Sequence, residues 1–166
     1  MPRRADRVRR ALAAAALGPC LFLALDAAAM GLFSGTRPDD LGVRDGQLAP
    51  CRPTPNCVSS FADPVADPGH HVAALRPRGD LDAAFAKLKD WIAGTERAAV
   101  VRADADYLYA EYTSKLMGFV DDLELLLDRH AGVIHVRSAS RLGQSDLGVN
   151  RERVESLRAR LAASGL

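Results

Sequence analysis

The run Leu123-Glu-Leu-Leu-Leu-Asp-Arg-His-Ala-Gly-Val-Ile-His-Val-Arg137 constrains the fold more than any other part of the chain. Two stretches rich in Leu, Val and Ile flank Arg129-His-Ala-Gly132, a common hairpin loop length with glycine where a positive φ is needed. Pairing Asp128 with Val133 sets Leu127 opposite Ile134, Leu125 opposite Val136 and Leu123 opposite Ser138, a face that begins apolar and turns polar. Asp121 then falls opposite Ser140 on this inward face. The other face carries Glu124 across from Arg137, Leu126 across from His135 and Val120 across from Arg141. Glu124 and Arg137 read as an exposed cross-strand ion pair, contributing about 0.2–1 kcal/mol. Asp121 faces the core and needs a partner, because burying a bare carboxylate is very costly. Ser138, Ser140, Arg141 and the backbone of the next loop are the candidates.

The remaining elements follow from period and punctuation. Asp80 can cap a helix carrying Leu81, Ala84, Phe85, Leu88, Trp91 and Ile92 at three-to-four spacing and ending near Gly94. Ala98 to Arg102 and Tyr107 to Ser114 are β-rich and joined by Ala103-Asp-Ala-Asp106. In the second of these, Tyr107, Tyr109, Glu111 and Thr113 share one face, with Leu108, Ala110, Tyr112 and Ser114 on the other. His71 to Leu75 reads as a short edge strand, limited by Pro77. Leu142 to Val149 is a loop, in which Asp146 can cap or order the turn, and Asn150 is placed to cap a last helix bearing Val154, Leu157 and Leu161. The expected fold is α+β: a two-layer domain with a roughly four-stranded antiparallel meander and two helices packed on one face, preceded by an irregular Pro-rich lead-in.

Residues 1–30 read as a signal peptide or N-terminal membrane anchor. Arg3, Arg4, Arg7, Arg9 and Arg10 precede an apolar run from Ala11 to Leu25 and then Ala27-Ala28-Ala29, the order of a secretory leader. The apolar stretch continues past that cleavage site to Phe33, so retention as an anchor stays open, although Pro19 interrupts it and Asp26 sits near its outer end. Cys20 invites a lipoprotein reading, against which Pro19 stands immediately before it. The arginines stay in the cytoplasm and the body is exported, to a periplasmic or extracytoplasmic location, secreted or anchored to the cytoplasmic membrane. Of 22 basic and 21 acidic residues, five and two lie in this segment, which leaves 17 against 19 beyond it. So balanced a body excludes nucleic acid as a partner.

Residues 31–69 form the lead-in, loose or docked, in which Pro38, Pro50, Pro53, Pro55, Pro64 and Pro68 oppose regular structure, and residues 70–164 form the α+β domain. Cys51 and Cys57, separated by Arg-Pro-Thr-Pro-Asn, read as a local disulfide in an oxidising compartment; free thiols and a metal site are the lesser alternatives.

Several short motifs together resemble one family: Gly31-Leu-Phe-Ser-Gly35, Arg37-Pro38, Asp40-Leu-Gly-Val-Arg44, Pro55-Asn-Cys-Val-Ser-Ser60, Phe119-Val-Asp-Asp122, Ser138-Ala-Ser-Arg141 and Ser145-Asp-Leu-Gly-Val-Asn-Arg151. The chain resembles domain-of-unknown-function family 1499 over roughly residues 31 to 163. The resemblance implies an exported or membrane-anchored bacterial protein with relatives in plastids, and no established activity, so no catalytic residue is carried over.

The candidate site is the seam from Ser138 to Arg153 with Asp121: Asp121, Ser138, Ser140, Arg141, Ser145, Asp146, Asn150, Arg151 and Arg153 gathered about a sheet end and a helix N-terminus, where N–H groups beside arginines suit a carboxylate or phosphate. A hydrogen-bonded loop locked by Arg–Asp pairs is the plainer alternative. His130 sits in the hairpin turn and His135 on the outer strand face, with His70 and His71 on another segment, so a shared metal or a catalytic dyad would need distant segments to converge; no Gly-x-Ser-x-Gly elbow occurs, and no cofactor is expected. The expected function is a non-catalytic binding or assembly module at the outer face of the cytoplasmic membrane, its partner an unknown protein or a small anionic ligand. Membrane contact through the N-terminal segment follows if that segment is uncleaved. The alternatives are a hydrolase or transferase on an anionic substrate, with Asp121 as acid/base and Arg141 holding the anion, and a carrier of an apolar ligand between helix and sheet.

Overall fold

A computed structural model describes residues 33–166; the expected leader and Cys20 lie outside the described residues. The strands are β1 (Cys57–Ser59), β2 (Ala98–Ala103), β3 (Tyr107–Thr113), β4 (Val120–Asp128) and β5 (Val133–Ser140), and the helices α1 (Leu81–Ala93) and α2 (Val149–Ala163). All strand pairs are antiparallel, in the order β1-β5-β4-β3-β2. The meander β2 to β5 is the expected one, and the hairpin register holds from Asp128 against Val133 to Asp121 against Ser140. Beyond it the Arg141 N–H donates to the Val120 carbonyl at 3.1 Å.

The sheet has five strands rather than four. The additional strand, β1, is the C-terminal arm of the disulfide loop, where Cys51 and Cys57 are bonded with Cα atoms 5.7 Å apart. The edge strand expected at His71–Leu75 is reduced to single bridges, Ser59 with His71 and Leu75 with Ile134. Its carbonyls are claimed from another direction: Arg151 donates to His71 O at 2.7 Å, and Arg158 to Ala73 O and Ala74 O. Guanidinium groups of α2 thereby satisfy the acceptors that a ladder would have used.

Both helices pack on one face. Asp80 caps α1 through the Ala83 N–H at 2.7 Å, and Ala84, Phe85, Leu88 and Ile92 meet Leu108, Ala110, Leu123, Leu125, Leu127, Ile134 and Val136, together with Val154, Leu157 and Leu161 of α2. No helix among the described residues is long and apolar enough to cross a membrane.

The opposite face of the sheet is not solvent. Between Phe33 and Asn56 the chain carries neither helix nor strand apart from a bridge of Arg44 with Gln47. This stretch lies over Tyr107, Tyr109 and Leu126 with Leu48, Leu41 and Phe61. Glu124 is 0% exposed and Arg137 3%, which corrects the expectation of an exposed pair. The sheet is therefore covered by helices on one side and by irregular chain on the other, and its second face carries buried charge.

Candidate functional site

Because side chains alternate along a strand, the end of the β4–β5 hairpin divides its polar residues between the two faces. On the helix side stand Asp121, Ser138 and Ser140. The Asp121 carboxylate accepts from Arg153 Nη2 and from Ser140 Oγ, both at 2.6 Å. Arg153 also donates to Ser138 Oγ and Asn150 Oδ1, and its guanidinium lies 4.4 Å from the Tyr112 ring centroid. Asn150, fully buried, donates to the Asn56 carbonyl, Ser140 Oγ and Asp146 Oδ2, so this one amide ties α2, β5, the loop and the lead-in together.

Asn150 does not cap α2. The helix starts at Val149 with Gly148 at the cap position, φ 87°, a left-handed conformation that glycine adopts without strain. The cap is Asp146, whose carboxylate accepts the N–H groups of Gly148 at 3.0 Å and Asn150 at 2.9 Å. An anion position at this helix start exists, and the protein's own carboxylate fills it. Burial alone would raise the Asp146 carboxyl, but the backbone and side-chain hydrogen bonds outweigh it and hold the group below the usual carboxylate range. A depressed carboxylate stabilises the fold above its unfolded value of 3.8 and loses that contribution as pH falls through the lower folded value. Asp146→Asn should therefore melt lower than wild type at pH 7 by an amount equivalent to about 1 kcal/mol, and the gap should narrow below about pH 4.

Ser145 lies in the exposed loop, its Oγ accepting the Leu147 N–H, and Arg151 turns to the carbonyls of Gly69 and His71. Asp121, Ser138, Ser140, Asp146, Asn150 and Arg153 are thus brought together, with Arg151 and Ser145 apart from them. Arg141 is on the other side of the sheet.

There it joins a network that sequence reasoning missed. Arg141 Nη2 donates to Asp122 Oδ1 at 2.7 Å and to Tyr109 Oη at 2.9 Å, and it also pairs with Glu111. Arg37 reaches the same Glu111 at 2.6 Å. Next along the sheet, Glu124 Oε1 accepts from Tyr107 Oη and the Gly42 N–H, both at 2.7 Å, while Arg137 Nη1 donates to Oε2 at 3.1 Å. Burial, followed by the adjacent carboxylates, pushes both phenols well above the ordinary tyrosine value. Burial would also raise the Glu111 carboxyl, but hydrogen bonds from Tyr109, Arg141 and Arg37 outweigh it and hold the group low. For Arg141, burial opposes the charge, and bonds to Asp122 and Glu111 more than restore it. These groups form an array of hydrogen-bonded donors and charges. The clue in the sequence was the adjacency Asp121-Asp122, which puts one carboxylate on each face, on a strand whose outer face opposes two tyrosines.

A cleft of about 310 Å³ opens on this side between the disulfide loop and β5, with Arg52, Asn56, Asp122, Arg137, Arg141 and Gln144 among its lining residues. Arg137 Nε is buried and without a hydrogen-bond partner among the described residues, one of two such side-chain atoms with Asp40 Oδ1. Among the described residues no group of three or more His, Cys, Asp or Glu is arranged to hold a metal ion. Two histidines are committed elsewhere, His70 to Asp67 and the Thr54 carbonyl, His71 to the Ala62 carbonyl.

Fold and site together define an α+β domain whose antiparallel sheet buries a charged network beneath an irregular, disulfide-bonded cover. The chain belongs to the family described as Protein of unknown function (DUF1499), whose model matches residues 47–161. The motifs from Gly31 to Arg44 lie ahead of the matched stretch. No curated protein and no solved structure matches the chain.

Proposed function

We propose that the chain is a non-catalytic binding or assembly module of the outer face of the cytoplasmic membrane, and that the cleft between the disulfide loop and β5 takes a small anion. The observation that carries this reading is Arg137: it lines the cleft, it is buried, and its Nε lacks a partner. A buried donor without an acceptor is costly, and an anionic oxygen in the cleft would satisfy it once the Arg137 side chain turned toward that oxygen. Arg52 adds an exposed positive charge on the same lining, and Arg141 a third guanidinium. The Cys51–Cys57 bond supports an oxidising, extracytoplasmic compartment.

The two alternatives have less behind them. An acid/base role for Asp121 with Arg141 as anion holder requires both to face one cleft, yet they lie on opposite faces of the sheet and Asp121 is held by Arg153 and Ser140. An apolar ligand between helices and sheet would have to displace Phe85, Leu88, Ile92, Leu123 and Leu125, all buried there.

Isothermal titration of the full chain with inorganic phosphate, sulfate and malonate tests the proposal. One of the three should bind at a single site, and Arg52→Glu should weaken it by about tenfold or more, a loss of about 1.4 kcal/mol, with the thermal midpoint unchanged because Arg52 is exposed. Absence of binding by all three, or binding indifferent to Arg52→Glu, would remove the cleft as the site.

A further inference from the structure

Ten large apolar side chains are exposed among the described residues, and six of them sit at one end of the domain, five on two loops and one at the start of α2. Leu116, Met117 and Phe119 come from the β3–β4 turn, Leu142 and Leu147 from the β5–α2 connection, and Val149 is the first residue of α2. Leu116 is 92% exposed and Leu147 91%, so neither contributes to the core. Leu147 also holds a φ of 55°, a conformation unfavourable for a branched side chain. The two loops share a groove of about 250 Å³ whose lining includes Phe119, Leu142, Leu147 and Val149 as well as Asp121 and Asp146, both of whose carboxylates are already hydrogen-bonded. Lys115, exposed beside Leu116, supplies the long stem and charged head that reach from an apolar phase to a polar one.

The chain enters the domain at this same end. The Phe33 ring lies 5.4 Å from that of Phe119, and a Cβ on Gly35 would come within 3.0 Å of Leu142 Cγ. Phe33 is also the last residue of the apolar stretch that begins at Ala11, so no polar spacer separates that stretch from the exposed loops. A single residue spans at most about 3.6 Å, which keeps the two loops close to wherever that stretch ends.

We propose that the β3–β4 turn and the β5–α2 loop rest in the surface of the lipid bilayer that holds the N-terminal segment, with Leu116 and Leu147 inserted among the acyl chains and Lys115 at the headgroups. This rests on the reading of residues 11–33 as a membrane segment. Lipid accounts for what a protein partner would not: an apolar end contiguous with an apolar tether.

The test is depth-dependent quenching of the full chain bound to vesicles of phosphatidylethanolamine and phosphatidylglycerol that contain a phosphatidylcholine brominated on its acyl chains. Tryptophan is introduced as Leu116→Trp, Leu147→Trp or, as an exposed position on neither loop, Val65→Trp; the quenching of Trp91, measured in wild type, is subtracted. Emission at 116 and 147 should be quenched at least about twofold more strongly than at 65. Co-sedimentation with vesicles but equal quenching at all three positions overturns the docking while leaving the membrane segment standing. Failure to co-sediment overturns both. Shielding of 116 and 147 without lipid, together with twice the chain's mass in sedimentation, assigns the patch to a second copy and overturns the proposal.

Discussion

Glu124→Leu should be the most damaging single substitution in this domain, costing about 3–5 kcal/mol in urea denaturation at pH 7, because it strands a buried guanidinium. Arg137 is left without its carboxylate, and the Tyr107 hydroxyl and the Gly42 N–H lose their acceptor. At about 2–4 °C per kcal/mol for a chain of this size, the midpoint should fall by roughly 10 °C. Replacing both members, Glu124→Leu with Arg137→Leu, should recover much of the loss, since removing a buried pair together avoids the orphaned charge. An exposed pair would lose less than about 1 kcal/mol on either change. A loss of that size for Glu124→Leu would mean that the cover over this face is not in place in solution.

Asn150→Ala should follow, at about 3 kcal/mol, even though alanine is the better helix former. The loss is tertiary. The Asn56 carbonyl and Ser140 Oγ lose a donor, and Ser138 Oγ and Arg153 lose the acceptor Oδ1 that they reach at 2.6 Å. Because Asn56 also accepts the Ser140 N–H, its release should loosen β1 against β5. Hydrogen exchange at the amides of Cys57 to Ser59 and at Ser140 should therefore accelerate ahead of those in β3 and β4. Unchanged exchange at β1 with an equal loss of stability would show that the amide supports α2 alone.

These two residues also mark where inference from sequence held and where it stopped. The Glu124–Arg137 pairing follows from the hairpin register, and the register from the loop and the apolar face; both were legible. The environment of the pair was not, because an alternating strand looks the same whether its second face meets water or another layer. Asn150 was expected to cap the last helix, and it does not. The turn before it instead places Gly148 in the left-handed region and hands the capping to Asp146, a choice made by backbone conformation that residue type alone does not dictate. Arg141 was grouped with Asp121 because both stand at one sheet end, although the register read from sequence already set Arg141 on the other face, across from Val120, and there the structure has it.

The sequence by itself determined the hairpin register, the division of β3 into a tyrosine face and an apolar face, and the extent and cap of α1, and it put a Cys51–Cys57 bond ahead of free thiols or a metal site. All of these rest on short-range periods, caps and turn chemistry, which act over a few residues. Only the tertiary structure decided that the proline-rich stretch closes over the sheet, contributes β1 and turns a polar strand face into a buried network. Those contacts join residues 74 to 94 positions apart, Arg37 to Glu111, Gly42 to Glu124 and Asn56 to Asn150. The segment carrying Arg37 and Gly42 has neither helical nor strand periodicity, so nothing local announces which surface it will cover.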